Sequence, residues 1–268
     1  MSPYFFWSVV YFILGLIMGS FLNVCIYRMP RGLSIIAPPS HCPECNSGIL
    51  WYDNIPVVSY LFLKGRCRQC GKPIPALYLI VEVLTALLFL SAYLFSYTVP
   101  AIMFKIVLFS VLVLASFIDI KHFVIPDESN LIGFIFAVLM STLFPHLQSR
   151  DIWYLALGDS LLGAFAGFLT LGFVSFAGSR LLKKDAMGFG DVKFIAMIGA
   201  FTGWKLVLLT IMTASFIGAV LGGALMLFKT RNLKGRIPFG PYLAAGAVIS
   251  VLFGKAIIGW YFSFCGIS

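Results

Sequence analysis

Six residues hold most of the chemistry this chain can offer: four cysteines in two pairs, and two aspartates beside glycine or at the end of an apolar run. The segments "HCPECN" and "CRQCGK" place Cys42, Cys45, Cys67 and Cys70 as two Cys-x-x-Cys pairs with 21 residues between them. Two thiolates from each of two tight turns match the tetrahedral four-sulfur shell that zinc accepts, with a connecting span slightly longer than usual. Gly71 after the second pair suits the positive-φ residue such a turn requires, and Asn46 after the first pair tolerates that conformation. A closed four-cysteine shell leaves no open position, so the expected zinc is structural. The other reading is a pair of disulfides, which a reducing compartment disfavours.

The chain has ten acidic residues. Glu44, Asp53, Asp151 and Asp185 sit in loops and read as solvated. Asp127 and Glu128 follow Pro126, where capping and dipole compensation account for them. Glu82, Asp119, Asp159 and Asp191 remain, at or within apolar runs where an ionisable group is costly. Asp119 ends one run in "LASFIDIKHFVIPDE", and Asp191 opens another in "MGFGDVKF" behind Gly188 and Gly190. Two carboxylates brought together cannot both ionise readily; one then deprotonates water while its protonated partner polarises a peptide carbonyl. Spacing leaves other readings open: two separate interfacial carboxylates paired with Lys121 and Lys193 or capping helices, or an ion pathway through Glu82 and Asp159.

The elements that must position these groups are membrane helices. At 60% hydrophobic and 11% charged residues, with mean hydropathy +1.00, the chain has more apolar surface than a soluble fold of 268 residues hides. Eight apolar runs are expected as helices: Tyr4 to Tyr27, Ala76 to Tyr97, Ala101 to Ile118, Leu131 to Phe144, Ile152 to Ala177, Val192 to Gly203, Leu206 to Phe228 and Tyr242 to Phe264. The sixth is short and rich in small residues, so a partial span is expected there. The first has no basic residue ahead of it and no small-residue cleavage site after it, and reads as a retained helix. The fold class is therefore an all-α polytopic membrane protein of about eight transmembrane helices, with a zinc-binding loop after the first. Its expected divisions are 1–27, the first helix; 28–75, the four-cysteine domain; and 76–268, the membrane domain carrying the aspartates.

Charge sets the expected orientation. With the N-terminus outside, 15 of the 19 Lys and Arg fall beside cytoplasmic segments: Arg28 and Arg31; Lys64, Arg66, Arg68 and Lys72; Lys121; Arg180, Lys183, Lys184 and Lys193; Lys229, Arg231, Lys234 and Arg236. Lys105, Arg150, Lys205 and Lys255 remain on the other side. The net charge of +9 thus marks topology and contact with anionic lipid. Basic groups split among several loops do not form a nucleic-acid face. Cys25 and Cys265, in or near apolar runs, read as free thiols packed as small hydrophobes.

The chain resembles the type IV prepilin peptidases, the membrane aspartyl proteases with a Gly-x-Gly-Asp motif. Six stretches carry the resemblance in order: "GSFLNVCIYRMP", the cysteine pairs with "NIPVVSYLFLKGRC" between them, "VEVLTALLF", "IDIKHFVIPD", "GFGDVKFIAMIGAF" and "IPFGPYLAAGA". It implies that Asp119 and Asp191 are the catalytic pair, with Gly188 and Gly190 in the supporting turn, and that Cys42, Cys45, Cys67 and Cys70 hold zinc. The implied reaction, at the cytoplasmic face of a bacterial inner membrane, removes a short basic leader from type IV prepilins or type II secretion pseudopilins, commonly after a glycine. A second implied activity is methylation of the new N-terminus with S-adenosylmethionine. Glu82, in a matching stretch, is a candidate for the methyl-transfer or substrate-amine site, with a buried structural ion pair as the other reading. Nearby, Leu77 and Leu79 stand where an arginine and a proline are frequent, and no glycine-rich nucleotide fold accompanies them. Asn23 and Arg28 would position the loop against the membrane or simply anchor at the interface. The remaining alternatives are a peptidase without methylation, an inactive docking subunit of a pilus or secretion assembly, and a membrane carrier.

Overall fold

The computed structural model describes residues 3–182, 187–227 and 238–265. Lys183, Lys184, Asp185, Lys229, Arg231, Lys234 and Arg236, all weighed above, lie outside the described residues. The chain is all-helical, with no strand among the described residues. Its helices are α1 (Pro3–Arg28), α2 (Val58–Phe62), α3 (Leu77–Leu94), α4 (Val99–His122), α5 (Asp127–Leu143), α6 (Trp153–Leu182), α7 (Phe189–Leu227) and α8 (Gly240–Phe264). Six of them, α1, α3, α4, α6, α7 and α8, are long and apolar enough to cross a membrane. This is a multi-pass membrane protein.

All eight apolar runs are helical, but they are not eight separate rods. The fourth run forms α5, of 17 residues, and the sixth and seventh share α7, interrupted at Gly203 (φ 74°, ψ 171°). At 1.5 Å per residue the arm before that break, residues 189–202, rises only about 21 Å, less than the roughly 30 Å hydrocarbon core.

The break frees backbone carbonyls that need donors in a medium without water. Gln148 Nε2 donates to the carbonyls of Ala200 (3.1 Å) and Phe201 (3.3 Å), and Ser160 Oγ donates to Ala200 O at 2.8 Å. Two polar side chains from other elements therefore cap the arm whose first turn holds Asp191.

The chain divides into two compact units, Met1–Leu114 and Ala115–Ser268. In the first, α1 packs on α3 through small residues. A Cβ on Gly15 would stand 2.5 Å from Ala86 Cα, and one on Gly19 would stand 2.6 Å from Glu82 Cα. In the second, α6 packs on α7 at Gly163 and Gly199, where a Cβ on either would collide with the carbonyl oxygen of the other. Glycines four residues apart on both helices (Gly163 and Gly167, Gly199 and Gly203) let backbones approach where lipid offers no hydrophobic drive for association. This contact fixes the height of the short arm.

Candidate active site and metal-ligating cluster

In the second unit Asp119 lies in the last turns of α4 and is 5% exposed. Its Oδ2 accepts the backbone N–H of Gly240, the first residue of α8, at 2.9 Å. That N–H belongs to the first turn of a helix, where donors lack intrahelical partners and the dipole favours negative charge. A Cβ on Gly240 would stand 2.8 Å from the same oxygen, so glycine is what permits the approach.

Asp191 sits in the first turn of α7, its N–H donating to Gly188 O at 3.1 Å. Asp119 is the charged group that acts on it electrostatically, as a like charge. Ile125, 6% exposed, ties the two together: a Cβ on Gly190 would touch its Cβ at 3.4 Å, and one on Gly240 would reach its Cδ1 at 3.3 Å. The structure thus gathers Asp119, Asp191, Gly190 and Gly240 around one isoleucine.

Lys193 does not pair with Asp191. Its Nζ bridges to Asp127 at 2.7 Å, and both side chains are well exposed. Asp127 and Glu128 stand in the first turn of α5, and no side chain caps that helix. Asp159 is occupied by Arg150, and Glu82 accepts the Val57 N–H at 2.8 Å and a hydrogen bond with Ser20. Glu82 therefore has backbone and hydroxyl partners and, among the described residues, no cation within ion-pair distance. It holds Val57 at φ 62°, a costly conformation for a β-branched residue.

In the first unit the Sγ atoms of Cys42, Cys45, Cys67 and Cys70 all lie within 4.8 Å of one another, and Cys42 and Cys70 are 3.9 Å apart. All four are free thiols. Bond lengths of about 2.3 Å in a tetrahedron put sulfurs roughly 3.8 Å apart, so the four fit a zinc shell after a small contraction. The turns are alike. Cys42 N donates to Ser47 O and Asn46 N to Cys42 O; Cys67 N donates to Lys72 O and Gly71 N to Cys67 O, each at 2.9 Å. Asn46 (φ 55°) and Gly71 (φ 69°) have the left-handed backbone that the spacing demanded. Hydrogen bonds from Ser47 hold the Cys45 thiol down to about 6, favouring the thiolate that binds metal. Glu44 bridges to Lys72 and Asp53 to Arg68 (2.6 Å), so ion pairs join the two halves of the loop.

Arg28 holds the loop, whereas Asn23 ties α1 to the first turn of α3. Arg28 donates to Ser34 O (2.9 Å) and Pro38 O (2.7 Å), and Asn23 Nδ2 donates to Tyr78 O (3.0 Å). What sequence reasoning missed is the pair Gly240 and Ile125. Gly240 lay inside the quoted "IPFGPYLAAGA" without a role, and Ile125 reads as one more apolar residue.

An all-helical membrane protein with a buried carboxylate, Asp119, at the end of one helix and a half-buried one, Asp191, in the first turn of another has the makings of a membrane aspartyl protease. Residues 13–96 match the Bacterial Peptidase A24 N-terminal domain and residues 106–223 match the Type IV leader peptidase family, so the chain belongs to that family. It is similar to proteins named prepilin leader peptidase/N-methyltransferase. That of Aeromonas hydrophila is 35% identical, covering 97% of this chain and 94% of its own length. That of Pseudomonas aeruginosa is 35% identical, covering 95% and 93%, and that of Myxococcus xanthus is 41% identical, covering 83% and 64%. No solved structure matches.

Proposed function

We propose that this chain is an aspartyl endopeptidase of the bacterial inner membrane, cleaving the basic leader from type IV prepilins or pseudopilins at the cytoplasmic face and methylating the new N-terminus. The observation that carries the peptidase reading is the approach of Asp119 and Asp191 beside the Gly240 N–H. In that reading the pair shares one proton. The ionised carboxylate takes a proton from water, the protonated one hydrogen-bonds the scissile carbonyl, and the resulting hydroxide attacks the carbonyl carbon. The proton then passes to the leaving amine. Gly240 supports this chemistry by fixing the Asp119 Oδ2 direction and stabilising negative charge there.

Both aspartates stand at helix ends, the place where a leader retained in the cytoplasm meets a substrate helix in the bilayer. The positive-inside distribution supports that orientation. A glycine at the cleavage point loosens the substrate helix and frees the amide that a continuous helix would keep hydrogen-bonded. The three-part division into 1–27, 28–75 and 76–268 follows the same reading, with the middle part built around zinc held by Cys42, Cys45, Cys67 and Cys70. Zinc in that closed shell supplies rigidity and no reactive position.

Methylation rests on the names of the relatives. The cavity beside Arg28 is a poor fit for S-adenosylmethionine: its wall carries one cation, the neutral polar side chains of Ser20, Ser40 and Asn54, apolar side chains and no carboxylate, whereas a sulfonium calls for a negative partner. Glu82 remains a proposed contributor to the amine site, though its known partners are structural.

The test is to incubate the purified protein with a full-length prepilin and read the product by mass spectrometry. Cleavage after the glycine at the leader boundary supports the reading, and a bulky residue in place of that glycine should slow it about a hundredfold. Unchanged processing of that substrate counts against the geometry. A mass gain of one methyl group in the presence of S-adenosylmethionine tests the second activity separately.

A further inference from the structure

The first unit contains a cavity of about 580 Å³ that the peptidase chemistry does not use, within the range typical of ligand sites. Ile17, Ser20, Phe21, Val24 and Arg28 line one side of it, spaced so that they share one face of α1. The loop around Ile35 to Ser40, together with Asn54 to Pro56, flanks the other, leaving the cavity partly open. From Ile17 to Arg28 the helix rises about 16 Å, roughly half the depth of a hydrocarbon core. The cavity is therefore long, with a polar end at the foot of α1 and an apolar end inside the bilayer.

Arg28 is 6% exposed at the polar end. Among the described residues its guanidinium donates to neutral carbonyls, those of Ser34, Pro38 and, at 3.4 Å, Pro39. Among the described residues no carboxylate lies within ion-pair distance of it. A buried cation without a counter-anion is costly, and three carbonyl bonds spread that charge without neutralising it. A guanidinium also offers five N–H donors in a fork suited to phosphate.

We infer that this cavity is a binding site for an anionic phospholipid, with the head-group phosphate at Arg28 and an acyl chain along Ile17, Phe21 and Val24. The ligand supplies the missing negative charge at one end and hydrocarbon at the other. Free phosphate satisfies only the first requirement and a zwitterionic lipid meets it weakly, because its own cation competes. The bound lipid would also brace residues 34–39 against α1, since the carbonyls that Arg28 holds belong to that loop.

The experiment is native mass spectrometry of the full-length protein in mild detergent, titrated with phosphatidylglycerol or with phosphatidylethanolamine of the same chain length, reading the first lipid bound. The expected result is about tenfold tighter retention of phosphatidylglycerol. Arg28→Gln should erase that preference. Because this change also frees the loop, Val24→Trp provides a second variant that leaves the Arg28 bonds in place and fills the slot; it should weaken retention of both lipids. Equal retention of the two lipids by the wild type, or unaltered retention by Val24→Trp, overturns the inference. Displacement of the lipid by millimolar inorganic phosphate reduces the site to an anion subsite and overturns the acyl slot, and displacement by S-adenosylhomocysteine overturns it in favour of the methyl donor.

Discussion

The backbone N–H of Gly240 donates to Asp119 Oδ2 at 2.9 Å, joining the start of α8 to the end of α4. The bond aims one carboxylate oxygen by means of a backbone atom, which no side-chain rotamer change can withdraw. Gly240→Ala puts a methyl 2.8 Å from that oxygen and must displace either the helix or the carboxylate. Displacements of this size at a reacting group cost on the order of a hundredfold. Cleavage of a prepilin by Gly240→Ala should fall by about that factor at normal membrane levels, and a wild-type rate would show that the bond does not position Asp119.

The Gly163 and Gly199 contact sets the height of the arm that carries Asp191. Gly199→Val cannot be absorbed by a side-chain shift, because what it meets is the Gly163 backbone. Overpacking costs typically 1 to 3 kcal/mol, so about that loss in stability is expected, seen as a lower midpoint in thermal unfolding in detergent. Gly158→Ala, on the partner helix α6, meets nothing within 4 Å and is the control, expected to leave the midpoint unchanged.

Lys193 and Asp127 form the ion pair nearest the site in sequence, and both are exposed: 39% and 63% of their side-chain surfaces respectively. An exposed pair of this kind contributes about 0.2 to 1 kcal/mol. Lys193→Ala should therefore leave the cleavage rate within about threefold of wild type, measured on the same substrate. A loss comparable to that of an aspartate variant would place Lys193 in the machinery.

The metal cluster makes a compositional prediction. Purified protein should carry about one zinc per chain by elemental analysis, because four thiolates complete one tetrahedral shell. Cys45→Ser should lower that content by at least about tenfold, since a hydroxyl is a poor replacement for a thiolate toward zinc, and should expose residues 34–73 to limited proteolysis. Full zinc content in the variant would mean that the metal sits elsewhere.

The parts legible in the sequence were those fixed by short-range constraints. Eight apolar runs appeared because each is long relative to its boundaries, and Asn46 and Gly71 could be assigned left-handed backbone because the Cys-x-x-Cys turn demands it locally. The join of two runs through Gly203 was not legible, since a single non-helical glycine looks the same whether it ends a helix or bends one. The Gly163 and Gly199 contact was written as glycines four apart on two runs, a pattern that names a close-packing face and not its partner. Asp119 and Asp191 stood out because a carboxylate at the end of an apolar run is costly. Their approach required knowing that Gly190 and Gly240 both stand against Ile125, and an isoleucine and a glycine in apolar sequence carry no such mark.

The most direct test is cleavage of a co-expressed prepilin by wild type, Asp119→Asn and Asp191→Asn, with the membrane level of each variant measured alongside. Loss of either carboxylate removes one of the two proton-transfer roles, so both variants should fall by about a thousandfold or more while remaining folded in the membrane. A normal cleavage rate in either variant would contradict the shared-proton pair and leave the approach of Asp119 to Asp191 without a catalytic role.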